Sequence, residues 1–244
     1  FAPERTIEGK ALEELRKLPQ VIGGINHRSA EIASDFFSFM TNSTLLADSL
    51  EEAEMVKLIN NTYRDVTFGF ANEVSLIAQR WGIDAKRVLE AANYGYERSS
   101  VPNPSPGVGG YCLEKDPFIF IESAKQKGYN PMLFHHARAV SEKMLDFLAG
   151  NVKAFLRDHK KDNKKAKILA LGIAFKGRPA TSDTRGSTSI ALLRRLQKED
   201  YKNIYGFDPA VERADFQAHG IKYVSDLKKG FSGADVVLAL TNHL

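Results

Sequence analysis

An apolar stripe running from Met55 to Trp81 constrains this chain more than any other feature. Met55, Ile59, Tyr63, Val66, Phe70, Val74, Ile77 and Trp81 recur in steps of three and four, the period of one helical face. A helix over residues 50–81 rises about 45 Å, longer than a small domain is wide. Such a helix either links two domains or packs against its own copy in a dimer. Gly82 ends it, and Asp84 is placed to cap a second helix over 85–93.

The segments on either side read differently. Residues 20–25 and 44–47 are short apolar runs that predict strands, with a helix over 31–40 between them and Ser29 as its cap. Together they look like the tail of an α/β layer. Residues 95–110 are rich in proline, glycine and serine and predict a loop. A helix is expected from about Asp116 to Lys127, stopped by Gly128, and Asn130 with Pro131 opens another that reaches His159. The basic run 160–167 reads as a linker.

Beyond it, strands over 167–171, 203–207, 222–224 and 236–240 alternate with helices over 189–198 and 211–218, which implies a parallel sheet with helices on its faces. The expected class is α/β. A partial α/β unit (1–48) precedes an all-helical middle (49–159) and an incomplete Rossmann-like unit (160–244).

Composition narrows function by exclusion. A 244-residue chain with 43% hydrophobic and 26% charged residues has ample core for a globular fold. Its net charge of +4 suits an anionic small ligand and carries no dense basic run for nucleic acid. One cysteine excludes an internal disulfide, and no stretch predicts a membrane span, so a cytoplasmic setting is expected. The chain opens at Phe1 without a methionine and stops at Leu244 after an apolar strand, which reads as a piece of something longer.

Several residues are candidates for chemistry. Cys112 follows the glycines of Gly107–Gly110 and precedes Lys115 and Asp116 near a helix start, where an N-terminus and a cation favour a thiolate. Lone cysteines are also common as buried filler, so the loop alone leaves both roles open. Lys57 and Asn61 share a face of the long helix, either as a solvated stripe or as a pair that polarises a reacting oxygen. Glu4 and Glu8 have the same spacing, enough to position a water, although glutamates at helix starts are ordinary.

Residues 172–187 follow a strand and carry Lys176, Arg178 and Arg185, groups suited to phosphate oxygens. No Gly-x-Gly-x-x-Gly fingerprint occurs, so Asp208 reads as a turn residue despite standing where a ribose-binding acid would. His135 and His136 are adjacent and diverge on a helix, so no metal site is expected.

Four separated segments then converge. Pro3-Glu4 with Glu8-Gly9, the Lys57-x3-Asn61 pair, Gly107–Asp116 as Gly-x-Gly-Gly-x-Cys-x2-Lys-Asp, and Gly172–Arg185 as Gly-x-Ala-Phe-Lys…Asp-x-Arg occur in this order. The combination resembles the nucleotide-sugar 6-dehydrogenases, the UDP-glucose and UDP-N-acetylhexosamine dehydrogenase family. That resemblance implies NAD-dependent oxidation of a UDP-sugar C6 alcohol to the uronic acid through a thioester on Cys112.

It further implies that Lys57 and Asn61 stabilise the oxyanion, that Glu4 and Asp116 handle water, and that Glu8 supports them. Ser105, Gly107, Gly109 and Gly110 would lie along the sugar nucleotide, with Lys176 and Arg185 nearby and Lys115 on the cofactor side. The long helix would be the core of a homodimer. Gly110-Tyr111 and Phe175–Arg178 lean toward the N-acetylhexosamine branch.

Two rivals stay open: a β-hydroxyacid-type dehydrogenase, which leaves Cys112 idle, and a non-catalytic nucleotide-sugar-binding or dimerisation module. With no glycine fingerprint, the chain as it stands is expected to bind UDP-sugar without turnover. Steady NAD reduction by a purified chain of this length, checked by intact mass, would contradict that expectation.

Overall fold

The computed structural model describes residues 1–243. The chain divides into two compact units, residues 1–64 with 115–131, and residues 65–114 with 132 onward. The divisions fall inside two helices, α3 (Leu50–Arg80) and α5 (Tyr111–Gln126).

In the first unit, β1 (Gln20–Gly23) and β2 (Thr44–Ala47) pair in parallel, with Val21 opposite Leu45. Two short elements precede and join them, α1 (Ala11–Lys17) and α2 (His27–Ser38). The cap of α2 is Asn26 rather than Ser29. Its side chain accepts from the Ser29 amide while the Ser29 side chain accepts from the Asn26 amide, so Ser29 closes a capping box from inside the first turn. Gly23 ends β1 where a Cβ would stand 2.2 Å from the Ser49 carbonyl oxygen, so the strand meets the start of α3 without room for a side chain.

The apolar stripe of α3 lies on the surface of the single chain. Met55, Ile59, Tyr63, Phe70, Ile77 and Trp81 are all exposed. The buried positions on α3 are Ala53, Thr62, Asp65, Gly69, Ala71, Asn72 and Ala78. Small and polar residues let neighbouring backbone come close, and at Gly69 a Cβ would lie 3.1 Å from the Ala137 Cα.

In the second unit, α4 (Ala85–Asn93) is capped by Asp84 as expected. Helix α6 (Met132–Asp158) packs on α7 (Thr188–Lys198), and both lie against a four-stranded sheet. Its strands are β3 (Lys167–Leu171), β4 (Asn203–Phe207), β5 (Lys222–Tyr223) and β6 (Val236–Ala239), all parallel in the order β5-β4-β3-β6. Two short helices complete the alternation, α8 (Arg213–Ala218) and α9 (Leu227–Phe231), the latter too brief to leave a periodic signal.

The chain leaves β3 toward β4 and returns to β6 on the other side, so strand order reverses beside β3. In sheets of this kind, that reversal opens a crevice at the carboxyl ends of the strands. The core below it joins Leu145, Ala149, Val152 and Leu156 of α6 to Ile168, Ala170, Leu193, Leu196 and Ile204.

Helix α5 starts earlier than the sequence suggests, at Tyr111 instead of Asp116. A proline is normally tolerated in a first turn, which draws the expected start toward Pro117. Here Pro117 sits buried inside the helix, and Gly110 at φ +98° is the residue that turns the loop into it.

Replacement of Leu196, which is fully buried, by alanine should cost about 2–5 kcal/mol of stability. Urea unfolding would show this as a lower midpoint with an unchanged slope.

Candidate active site

The first unit brings together Asn61, Lys115 and Asp116, with Lys57 one turn before Asn61 on α3. Asp116 is 1% exposed, and its carboxylate accepts from Asn61 Nδ2 at 2.6 Å and from Lys115 Nζ at 2.6 Å. A buried carboxylate is stable only when paired in this way. Asn61 is half-buried while Asn60 is exposed, so the two mid-helix asparagines have different roles and Asn61 is the one tied into the acid.

Glu4 lies close enough to Lys57 to feel its charge. Burial pushes the Glu4 carboxyl up, but hydrogen bonds from the Thr6 side chain and amide, with the Lys57 ammonium, bring it below its ordinary value. The Thr6 amide donates to Glu4 Oε1 at 2.6 Å. Residues 1–10 are not helical, so Glu4 and Glu8 do not share a helix face, and Glu8 is exposed. Their spacing of four therefore carries no geometric pairing, because the helix of this segment begins only at Ala11.

The second unit holds Cys112, the glycine loop and residues 172–187. Cys112 is exposed, in the first turn of α5, and is the only cysteine of the chain. The loop before it is fastened at both ends. The Asn72 side-chain oxygen accepts from the Ser105 amide at 2.9 Å, and Ser105 Oγ donates to the Gly107 carbonyl at 2.8 Å. At the far end the Gly110 amide donates to the Gly186 carbonyl at 3.0 Å.

That bond latches the two candidate substrate segments together. A Cβ on Gly109 would stand 2.9 Å from the Gly186 oxygen, and one on Gly110 would stand 3.0 Å from the Phe175 ring. The glycines are needed for close approach as well as for turning.

Lys176 is half-buried with its ammonium 5.2 Å from the Phe175 ring centroid. Arg185 is exposed and grips Asp183 through Nε and Nη2 while stacking 5.4 Å from the Tyr111 ring centroid. The side-chain bonds from Arg185 hold the Asp183 carboxyl below its ordinary value. Asp208 is a structural acid, as its turn position suggests. Its Oδ2 accepts from the amides of Ile173 and Ala174, and Oδ1 accepts from the Ala210 amide. No cluster of three or more metal-ligating side chains occurs among the described residues.

Asn72, Asp65 and Arg138 escape a sequence reading. Asn72 and Asp65 sit seven residues apart on α3 and are fully buried, a pattern visible only as polar residues off the apolar stripe.

Removal of the Lys57 charge, as in Lys57→Met, should raise the Glu4 pKa. Because Glu4 is depressed in the folded chain, its stabilising contribution is present above its unfolded pKa and lost as pH falls through the folded one. In the variant the contribution is smaller and its loss is complete at a higher pH, and a carboxyl-selective NMR titration would read the shift directly.

Comparisons with known proteins bear on what this arrangement is. Residues 51–143 match the central domain of the UDP-glucose/GDP-mannose dehydrogenase family, and residues 169–244 match its UDP binding domain. A UDP-N-acetyl-D-mannosamine dehydrogenase of Methanocaldococcus jannaschii is 35% identical over 243 residues, covering 99% of this chain and 52% of that protein.

A solved UDP-D-ManNAc dehydrogenase from Pyrococcus horikoshii superposes with a TM-score of 0.86 at 31% identity, covering 99% of this chain and 54% of that one. A UDP-glucose dehydrogenase from Pyrobaculum islandicum gives 0.85 at 27% identity, with 99% and 55% covered. The chain spans about half the length of the curated relatives it matches. Two of the family's domains, in their order and over most of the chain, place it in the UDP-glucose/GDP-mannose dehydrogenase family.

Proposed function

We propose that this chain supplies the substrate-side chemistry of a UDP-sugar 6-dehydrogenase, oxidising a C6 alcohol to a uronic acid. The observation that carries this reading is Cys112, exposed in the first turn of α5 beside a glycine loop that is latched to the Lys176–Arg185 segment. NAD is the proposed acceptor of both hydrides. The described residues contain no Gly-x-Gly-x-x-Gly turn for its pyrophosphate, and Lys115, the cofactor-side candidate, is already paired with Asp116.

The chain's own part is as follows. The Cys112 thiolate adds to the C6 aldehyde, forming a carbon–sulfur bond and an oxyanion that Lys57 and Asn61 stabilise by charge and hydrogen bonding. After the second oxidation the product is a thioester. Water attacks its carbonyl, the carbon–sulfur bond breaks, and Cys112 leaves as the thiolate.

Asp116, held by Asn61 and Lys115, positions the water, with Glu4 as a second acid tuned by Lys57 and Glu8 in support. Ser105, Gly107, Gly109 and Gly110 present backbone to the sugar nucleotide, while Lys176 and Arg185 answer its phosphates.

The names of the relatives favour a UDP-N-acetylhexosamine over UDP-glucose as substrate. The proposed organisation keeps residues 1–48, 49–159 and 160–244 as NAD-domain tail, helical catalytic part and UDP-binding part. The exposed stripe of α3 is proposed as a homodimer face in a cytoplasmic enzyme, and none of the described helices is long and apolar enough to cross a membrane.

In the active enzyme, Cys112→Ser should abolish uronate formation, and Asn61→Ala should lower kcat by about 10²–10³-fold. Product analysis of the sugar, with NADH followed in parallel, checks both. Uronate formation by Cys112→Ser at the parental rate would remove the thioester from the mechanism.

A further inference from the structure

Among the described residues the most deeply buried ion pair joins Arg138 of α6 to Asp65 of α3. Arg138 Nη1 donates to Asp65 Oδ1 at 2.7 Å, with side-chain exposures of 12% and 0%. Burial pushes the Asp65 carboxyl above its ordinary value, and Arg138 offsets this only in part. The other carboxylate oxygen, Oδ2, is buried without a hydrogen-bond partner. A buried pair left partly unsatisfied is weak evidence of a stabilising role, because apolar residues of similar volume often do better.

The same guanidinium nitrogen reaches the Leu113 carbonyl at 3.5 Å. That carbonyl has a particular need. In a helix it would accept from the amide four residues on, and that residue is Pro117, which has no N–H. Leu113 follows Cys112 directly, so the group lacking its helical donor lies in the turn that carries the thiol. Arg138 also acts on the next residue. Burial pushes the Glu114 carboxyl up, Arg138 draws it down, Glu142 opposes that, and the net shift is upward.

We propose that Arg138, oriented by Asp65, is a positioning residue for Cys112: it replaces the hydrogen bond that Pro117 withholds and so fixes the first turn of α5. The proposal rests on Cys112 being the reacting thiol. Asp65 fixes the guanidinium, the guanidinium holds the Leu113 carbonyl, and the carbonyl sets the direction of the turn. Lysine in place of Arg138 keeps the charge, but its freely rotating ammonium lacks the two N–H bonds that the planar guanidinium holds in fixed directions on Nη1, toward the carboxylate and the carbonyl.

Amide hydrogen exchange and steady-state kinetics test this on Arg138→Met, Arg138→Lys and the double variant Asp65→Asn/Arg138→Met. The double variant is included because Arg138→Met alone strands a buried carboxylate and can fail to fold. Amides of residues 111–115 should exchange about tenfold faster in every variant that folds, while those of the β3–β6 sheet stay as in the parent.

In the active enzyme kcat should fall by about 10–10²-fold with little change in the KM for UDP-sugar. Added guanidinium should restore part of kcat to the methionine variants and not to Cys112→Ser. Unchanged exchange at residues 111–115 in the double variant overturns the proposal, as does a loss of kcat matched by uniform loss of protection across the unit. If Cys112→Ser still forms uronate, the reading of the thiol fails instead, and the exchange data still judge the hold of Arg138 on the turn.

Discussion

The buried face of α3 is built from small and polar side chains, and much of the second unit depends on it. A helix that buried leucines there would hold its neighbours near the usual 8–10 Å spacing. With Gly69 against Ala137, α3 and α6 meet at that point with no side chain of α3 between them. Asp65 and Asn72 lie on the same buried face, at i−4 and i+3 from Gly69. Asn72 fastens the loop that contains the glycines, and Asp65 fastens the arginine that reaches the first turn of α5. The long helix therefore acts as a template as well as a strut.

The Gly186 carbonyl has a comparable role at the other end of the loop. By accepting from Gly110 it joins two segments that are 76 residues apart in the chain. The contact needs glycine on both sides, because Gly109 faces the carbonyl oxygen and Gly186 itself adopts a φ of +61°. Thr188 and Ser187 then begin α7, so the latch passes directly into the sheet layer through a capped helix.

The parallel sheet, the strands near the amino end and the long helices were legible because each rests on periodicity and local caps. The motif residues were legible as types at fixed spacing. What sequence could not supply was which residues of α3 are buried within the chain, since those positions are small or polar and carry no apolar period. Nor could it give the start of α5, because Pro117 imitates a first-turn proline while an arginine from α6 makes its interior position tolerable. Glu4 and Glu8 show the reverse error: a spacing of four suggests a shared face only if the segment is helical, and this one is not.

Asp208 stands just past the carboxyl end of β4, which neighbours β3 in the sheet. Its two oxygens take the amides of Ile173, Ala174 and Ala210 together with His243 Nε2 at 3.0 Å. A carboxylate has about four lone-pair sites, and here three donors meet Oδ2 and one meets Oδ1. With its acceptor capacity largely taken by the chain's own amides and His243, this acid works as a brace: it ties the turn after β3 to the turn after β4 and to the segment beyond β6.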